Sequence, residues 1–403
     1  MEPVRVLHET VIMDPGGIEG LLMNVYRHID RNQVQFDFMV HRPERAFYED
    51  EIERLGGRIY RTARFSPFPG QYQAYMRATE KILREHPEYK VLHAHAELNL
   101  WPLMAAEKAG IPTRIAHSHN AQTGINLKYF FLLYEKAGIK NYCTHMFMCS
   151  TPAGIWSFGR RAVESGDVKL IKNGIETEKF SFDRRLRMKK RQELGLKDQF
   201  AVGHVGRFMR QKNHRFLIDV FAAIHKKNPN SVLLLAGDGR LMEEIQNKVR
   251  ALGLERWVMF LGNRRDVNEL MQAIDVFLFP SLWEGLPLTG IEAQAAGLPV
   301  VMSDVITDEV RITDRVYTVS LKEPAEVWAD KVLSVRGEDG RENGRKQIID
   351  AGFDIRTTAA WLQDFYLDAY QRAERQRQSV GGFTGGYSNH TYLQGRECSS
   401  RGG

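Results

Sequence analysis

Apolar residues gather along this chain in short runs, and between the runs they recur at the spacing of one helix face. In the first half the runs are Val4 to Leu7, Phe36 to Val40, Val91 to His95 and Thr113 to Ala116. A loop carrying Pro15, Gly16 and Gly17 follows the first run and leads into a helical pattern through Leu21, Leu22, Val25 and Ile29. Further helices are predicted over Glu49 to Leu55, Tyr72 to Glu85 and Trp101 to Ala109. Strand, turn and helix in repeated alternation predict a parallel sheet.

The second half repeats the scheme more cleanly. Its runs are Ala201 to Val205, Val232 to Ala236, Val258 to Leu261, Val276 to Phe279 and Val300 to Met302. Helical patterns at Asn213 to Lys227, Arg240 to Leu252, Val267 to Ala273 and Leu288 to Ala296 each lie between two of them. Right-handed crossovers of this kind build a doubly wound sheet. The expected fold is α/β, with two doubly wound Rossmann-like domains facing a cleft, which also suits a length of 403 residues. The first domain is expected over 1–180 and the second over 181–356, with the change between Phe180 and Leu194 after a strand that leads into Asn173 and Gly174. An amphipathic helix over 357–375, through Ala360, Leu362, Phe365, Tyr366 and Ala369, is expected to pack back towards the first domain. The remaining stretch, 376–403, is rich in Gly, Ser and Asn and is expected to be a disordered tail.

Composition narrows the class. A hydrophobic fraction of 43% and a charged fraction of 26% are those of an ordinary globular protein. Three cysteines in no paired spacing suggest neither a disulfide framework nor a zinc site. The start lacks a basic segment followed by an apolar signal core, and no stretch is long and apolar enough to span a membrane, so a cytoplasmic location is expected. A formal charge of +6 favours anionic partners in general. Much of the excess sits in Arg184, Arg185, Arg187, Lys189, Lys190 and Arg191, which read as a solvated helix face. No nucleic-acid motif accompanies them, and no nucleic-acid partner is expected.

Open parallel sheets bind ligands at the carboxyl ends of their strands, so the loops that follow those ends carry the candidate chemistry. Gly206 to Asn213 holds two cations, Arg207 and Lys212, before a helix whose start Asn213 marks. Such cations suit a leaving diphosphate, whose charge grows as the bond to it breaks. Phe279 to Leu288 holds Glu284, Gly285 and Leu286, and Pro287 is placed to start the helix that carries Glu292. Glu284 in the loop and Glu292 one turn into the helix face one crevice at different depths. Carboxylates accept hydrogen bonds from the vicinal diols of ribose and hexose alike, and Gly285 lets the backbone approach a ligand.

On these residues the chain resembles the family-4 retaining glycosyltransferases of GT-B fold, similar to those that assemble capsular and exopolysaccharides. The resemblance spans roughly residues 4–375, with its specific motifs concentrated in the second half. It implies that Arg207 and Lys212 hold the donor diphosphate, that Glu284 contacts the donor sugar, and that Glu292 binds the ribose hydroxyls. It assigns the Gly16 and Gly17 loop to the diphosphate or the acceptor, and Gly285, Leu286 and Leu288 to substrate contacts. Asn263 and Arg264, in the loop after the Val258 to Leu261 run, are expected near the base. Asn173 to Ile175 resembles the family's interdomain segment, and Gly237 to Gly239 its turn after the second strand of the C-terminal domain.

His117 and His119 end one strand, and His93 and His95 end the one before it. No carboxylate or cysteine completes a persuasive ligand set with them, so no metal is expected. The family places a histidine against the transferred sugar here; strand alternation puts His117 and His119 on the same side, and His119, nearer the end, is preferred. The implied reaction retains the anomeric configuration, with a nucleotide-sugar donor, UDP by family habit, and a glycan or lipid-linked acceptor. No cofactor and no divalent ion are expected, because Arg207 and Lys212 neutralise the diphosphate. The aromatic stretch Tyr129 to Tyr134, flanked by Lys128, Lys136 and Lys140, reads either as a surface for peripheral contact with an anionic membrane or as a buried helix. Alternatives on the same architecture are a nucleotide-sugar epimerase, a glycan phosphorylase, or a nucleotide-sugar-binding protein without catalysis.

Overall fold

Runs of β-branched and aromatic residues fold here as strands buried on both faces: every residue of Val34–Val40 and of Ser231–Ala236 is buried. The computed structural model describes residues 2–62, 70–96, 100–119, 127–337 and 340–381. Among them, β1 (Val4–Thr10), β2 (Val34–Val40), β3 (Ile59–Arg61), β4 (Val91–Ala94), β5 (Thr113–Ser118), β6 (His145–Met148) and β7 (Val168–Leu170) form one sheet, in the order β3-β2-β1-β4-β5-β6-β7. A second sheet takes β8 (Phe200–Val205), β9 (Ser231–Ala236), β10 (Val258–Phe260), β11 (Val276–Phe279), β12 (Val300–Ser303) and β13 (Val316–Val319), in the order β10-β9-β8-β11-β12-β13. Each observed pairing is parallel, for example Val6 with Val91 and Phe277 with Val300. The fold is thus α/β with two Rossmann-like sheets, as the alternation implied.

All nine apolar runs are strands. The sequence reading missed β3, β6 and β13. β3 is three residues long, β6 reads His-Met-Phe-Met without a β-branched residue, and the middle of β13 is partly exposed. Each pairs at or near a sheet edge, where a weak strand is held by its neighbour more than by its own pattern.

The basic run departs from expectation. It lies on the helix Arg184–Glu193, capped by Asp183, whose carboxylate accepts from the amides of Arg185 and Leu186. Arg184, Arg185 and Lys189 are exposed, but Arg187, Lys190 and Arg191 are buried. Positions 187, 190 and 191 fall on one helix face, and that face meets the end of the helix Val267–Ala273 and the start of β11. Arg187 donates to the carbonyls of Gln272 and Ile274, at 2.8 and 3.0 Å, and pairs with Asp275. Arg191 donates to the carbonyl of Ala273 at 2.9 Å, and Lys190 reaches Asp266 and Glu269 at 2.9 and 2.7 Å. Cations here answer the carbonyl end of a helix and half-buried carboxylates. Half of the run that reads as a solvated face is a structural staple.

The chain passes between the sheets twice, along adjacent paths. Ile175 bridges to Asp354, donating to the carbonyl of Phe353 at 2.8 Å and accepting from Ile355 at 3.0 Å. A Cβ on Gly174 would stand 2.7 Å from Ile355 Cα, so the two crossings touch backbone to backbone. The closing helix, Ile355–Gly381, then returns to the first sheet. Its Leu362, Tyr366 and Ala369 share a core with Val6, Phe36 and Ile115. It runs through residues 376–381, which were expected to belong to the tail; residues 382–403 lie outside the described residues.

Replacing Asp275 with Ala strips Arg187 and Arg191 of their carboxylate. Loss of one partner of a buried pair costs about 3–5 kcal/mol, whereas Arg184→Ala, on the exposed side of the same helix, is expected to stay within about 0.5 kcal/mol of the parent. Urea unfolding monitored by circular dichroism checks both; equal effects would return the run to the surface.

Candidate active site

In each sheet the strand order reverses once beside the first strand, between β1 and β4 and between β8 and β11. A crevice opens outside the carboxyl ends of strands at such a point, and the two crevices face each other. They enclose a cavity of about 580 Å³. From the first sheet it is lined by Gly16, Gly17, Ile18, Glu19, His119, Cys149 and Asn173. From the second come Arg207, Met209, Gln211, Lys212 and the segment from Glu284 to Thr289. Of the residues singled out in the sequence, it therefore gathers Gly16, Gly17, His119, Arg207, Lys212, Glu284, Gly285, Leu286 and Leu288.

The loops after β8 and β11 are laced together. Leu282 donates its amide to the carbonyl of Gln211 at 2.8 Å, and Gln211 Nε2 donates to Glu284 Oε2 at 3.1 Å. Lys212 Nζ and Glu284 Oε1 form an ion pair at 2.7 Å, with side chains only 14% and 6% exposed. The cation assigned to phosphate and the carboxylate assigned to sugar thus neutralise one another, a pairing that no spacing in the sequence announces. Asn213 stands at the helix start as expected, but it makes no side-chain cap. Its backbone is left-handed, with φ of 55°, and its amide donates to the carbonyl of Pro280, tying the two loops once more. Beneath Lys212 lie His204 and His214, which the sequence reading passed over; burial, with the Lys212 charge, holds His214 down to about 4.

The turn after β9 supports this platform from below. Gly237 and Gly239 adopt φ of 136° and 153°, and a Cβ on them would come within 2.2 Å of Gly206 O and 2.7 Å of Phe208 O. Only glycine lets the turn press on that backbone.

Two helices begin at the cavity without a side-chain cap, Gly17–His28 and Leu288–Ala295, so their first amides face it. A Cβ on Gly17 or on Gly285 would meet no atom within 4 Å, so the protein itself leaves that space open. Arg207 is exposed and spans the cleft, donating to the carbonyl of Pro15 at 2.8 Å.

Glu292 is the fifth residue of the helix Leu288–Ala295 and lies behind the residues that line the cavity. Burial pushes its carboxyl up to about 7. Asn263 and Arg264 do not reach the cavity: both are exposed, and Arg264 is committed to Asp266 by two bonds of 2.7 and 2.6 Å.

On the other side, His119 is half-buried at the cavity wall, while His117 is buried behind it and meets His93 at 3.2 Å. His8, on β1, joins them, so that five imidazoles form a ladder across β1, β4 and β5. His8 was missed because it lies inside a strand whose register with β4 only the fold reveals: it pairs with His93.

Residues 15–179 match the family described as Glycosyltransferase Family 4, and residues 199–336 match Glycosyl transferases group 1. EpsF of Bacillus subtilis (strain 168), a glycosyltransferase by name, is 35% identical over 373 residues, 90% of this chain and 96% of EpsF. The chain belongs to the family-4 glycosyltransferases of GT-B fold. An Escherichia coli protein named UDP-Gal:alpha-D-GlcNAc-diphosphoundecaprenol alpha-1,3-galactosyltransferase is 29% identical over 305 residues, 72% of this chain and 77% of that one. Among solved structures, Anabaena HepE in complex with UDP and glucose superposes with a TM-score of 0.72 at 21% identity, covering 90% of this chain and 98% of HepE. The glycosyltransferase thus matches EpsF and HepE over nine-tenths of its length.

The Glu292 carboxyl gives this glycosyltransferase a distinctive dependence on pH. Its folded pKa, about 7, lies above the ordinary 4.5. The native state holds the extra proton between those values, so stability falls as pH rises through that window. Glu292→Gln is expected to melt above the parent at pH 8, by on the order of 1–3 kcal/mol, and to converge with it near pH 4.5. Parallel stability curves for the two proteins would show that the carboxyl ionises normally.

Proposed function

We propose that this glycosyltransferase moves a hexose from a UDP-sugar to a glycan or lipid-linked acceptor, with retention of configuration, in the synthesis of a cell-surface polysaccharide. The convergence of Arg207, Lys212 and two uncapped helix starts on one cavity is the observation that carries the reading. The relatives add support for the donor and the acceptor. HepE was solved with UDP and glucose, and the Escherichia coli relative is named for a UDP-galactose donor and a diphosphoundecaprenol-linked acceptor.

In the proposed reaction the bond from the anomeric carbon to the diphosphate breaks, and its electron pair passes to the phosphate oxygen. Arg207, Lys212 and the amides that open the helices Gly17–His28 and Leu288–Ala295 stabilise that growing charge. An acceptor hydroxyl attacks from the same face and gives its proton to the departing phosphate. No protein nucleophile is needed. As Lys212 turns to the diphosphate, Glu284 loses its cation and accepts hydrogen bonds from sugar hydroxyls in its place. Glu292 anchors the ribose, and His119 faces the transferred sugar, with His117 behind it.

A thermal-shift screen of nucleotide sugars, run in EDTA and again in magnesium, tests this reading. A UDP-sugar is expected to raise the melting temperature most, and magnesium to leave the shift unchanged, because protein cations hold the diphosphate. Glu292→Ala is expected to weaken UDP and UDP-sugar alike by about 10-fold or more. Glu284→Ala is expected to spare UDP while reducing turnover and discrimination between sugars. Equal effects of both variants on free UDP would sink this division of roles, and conversion of donor to an epimer without acceptor would favour the epimerase.

Peripheral membrane contact is the companion proposal, and it fits a lipid-linked acceptor. On the helix Leu127–Tyr142, Leu133 and Tyr134 are 37% and 62% exposed, with Lys140 exposed a turn and a half further on. The side chains of the preceding aromatics lie outside the described residues. Among the described residues no helix is long and apolar enough to cross a membrane. Co-sedimentation with phosphatidylglycerol vesicles is expected, and to fall several-fold for Tyr134→Glu; no binding by the parent protein would remove the proposal.

A further inference from the structure

We propose that His95, His117 and His119 form a binding site for one divalent transition cation of the zinc, cobalt or nickel class, with a coordination position open to the cleft. The ring nitrogens of these three lie within 4.8 Å of one another. The site concerns the first domain alone and does not rest on the sugar-transfer reading.

The ladder of five imidazoles has an unusual polar economy. Apart from one tyrosine hydroxyl the rings find only one another, and three buried ring nitrogens have no partner at all: His8 Nε2, His117 Nε2 and His119 Nδ1. Orphaned nitrogens in a buried cluster are costly. A cation accepting lone pairs from His95 Nδ1, His119 Nε2 and His117 Nε2 gives the orphaned His117 nitrogen a partner and fixes the protons of His95, His117 and His93, while His8 Nε2 and His119 Nδ1 keep their protons unpaired. His95 then carries its proton on Nε2 and donates to His8 Nδ1 at 3.0 Å. His117 carries its proton on Nδ1 and donates to His93 Nε2 at 3.2 Å, and His93 in turn donates from Nδ1 to the Tyr366 hydroxyl at 2.7 Å. Metal-bound imidazoles commonly donate their second N–H in this way, which fixes the tautomer and orients the ring. The closing helix supplies the last acceptor of the chain.

Distances agree with this assignment. His95 Nδ1 and His119 Nε2 face each other at 3.0 Å. Two nitrogens on one tetrahedral zinc, each bound at about 2.0–2.1 Å, stand roughly 3.4 Å apart, so a small spreading of the rings seats the ion. The deeper triad, His8, His93 and His95, fits less well. Both nitrogens of His93 are already engaged, by Tyr366 and His117, and all three residues are fully buried, which leaves no room for a fourth ligand. His119, by contrast, lines the cavity. An all-imidazole set selects zinc, cobalt, nickel or copper over magnesium and manganese. Three protein ligands leave a fourth position for water or a substrate hydroxyl, on the side of His119, the one of the three that is not fully buried. The sequence reading dismissed a metal because no carboxylate or cysteine accompanied the histidines, a requirement that three imidazoles meeting at two strand ends do not have.

The untagged full-length chain, dialysed against dipicolinate and then titrated with cobalt(II), tests the site. One equivalent is expected to bind with the intense visible absorption of four- or five-coordinate cobalt, and one equivalent of zinc to abolish that absorption. His95→Ala/His117→Ala is expected to lose the band, and His93→Leu, which removes the acceptor behind His117 without touching a ligand, to weaken binding by about 10–100-fold. If the double variant does not fold, as judged by circular dichroism, His119→Ala at the cavity wall is expected to lower affinity at least tenfold. Failure of the parent chain to show the intense band at stoichiometric cobalt overturns the proposal. So does a band that persists undiminished in the folded histidine variants.

Discussion

Two largely enclosed charges, Lys212 and Glu284, tie together the loops that form the second-sheet side of the cleft. Each loses hydration that their mutual attraction alone does not readily restore. The arrangement holds because the surrounding loops add what is missing: the Gln211 amide on the second carboxylate oxygen, and the ring of Phe279 5.0 Å from the ammonium. An anion that draws Lys212 aside leaves Glu284 needing new donors, and a polyhydroxylated ring beside that anion supplies them. In the proposed reaction phosphate and sugar are read together, because neither half of the pair is released alone without leaving the other unpaired.

The two sheets matter to this exchange through where their order reverses. Parallel strands present free loop ends on one edge only, and the reversal parts the helices there. With two sheets set edge to edge, both openings meet in one volume. Among the described residues, contacts between the two sides include Arg207 with the carbonyl of Pro15, the amide of Thr151 with Glu309 Oε1 at 2.9 Å, and Arg265 over the ring of Phe47. Polar bonds of this kind, unlike a large apolar interface, are readily traded for bonds to a ligand.

Much of the fold could be read from the chain because each interior strand of a parallel sheet announces itself as an unbroken apolar run. Edge strands such as β3 and β13 are specified by the neighbour that receives them and leave a fainter mark. Within the site, loops following strand ends were recognisable as ligand-facing, and most of the named residues meet there. The details that failed are those set by side-chain partners distant in sequence. Lys212 and Glu284 are 72 residues apart, and their pairing is a property of two loops touching. Arg187, Lys190 and Arg191 look like solvated charges until β11 and the helix before it are placed beside them. His8 is hidden in an apolar strand, and only the register of β1 on β4 shows that it completes a ladder.

The return of the closing helix to the first sheet bears on how the chain is made. Leu362, Tyr366 and Ala369 belong to the core built on Val6, Phe36 and Ile115, yet they are joined to it last. During synthesis the N-terminal sheet emerges with one flank open to solvent, and it stays open while the whole of the second domain is extruded. The second sheet has no such debt, since its strands and helices are contiguous in the chain. The later half is therefore the one equipped to become native first, and the earlier half waits for the final helix to seal it.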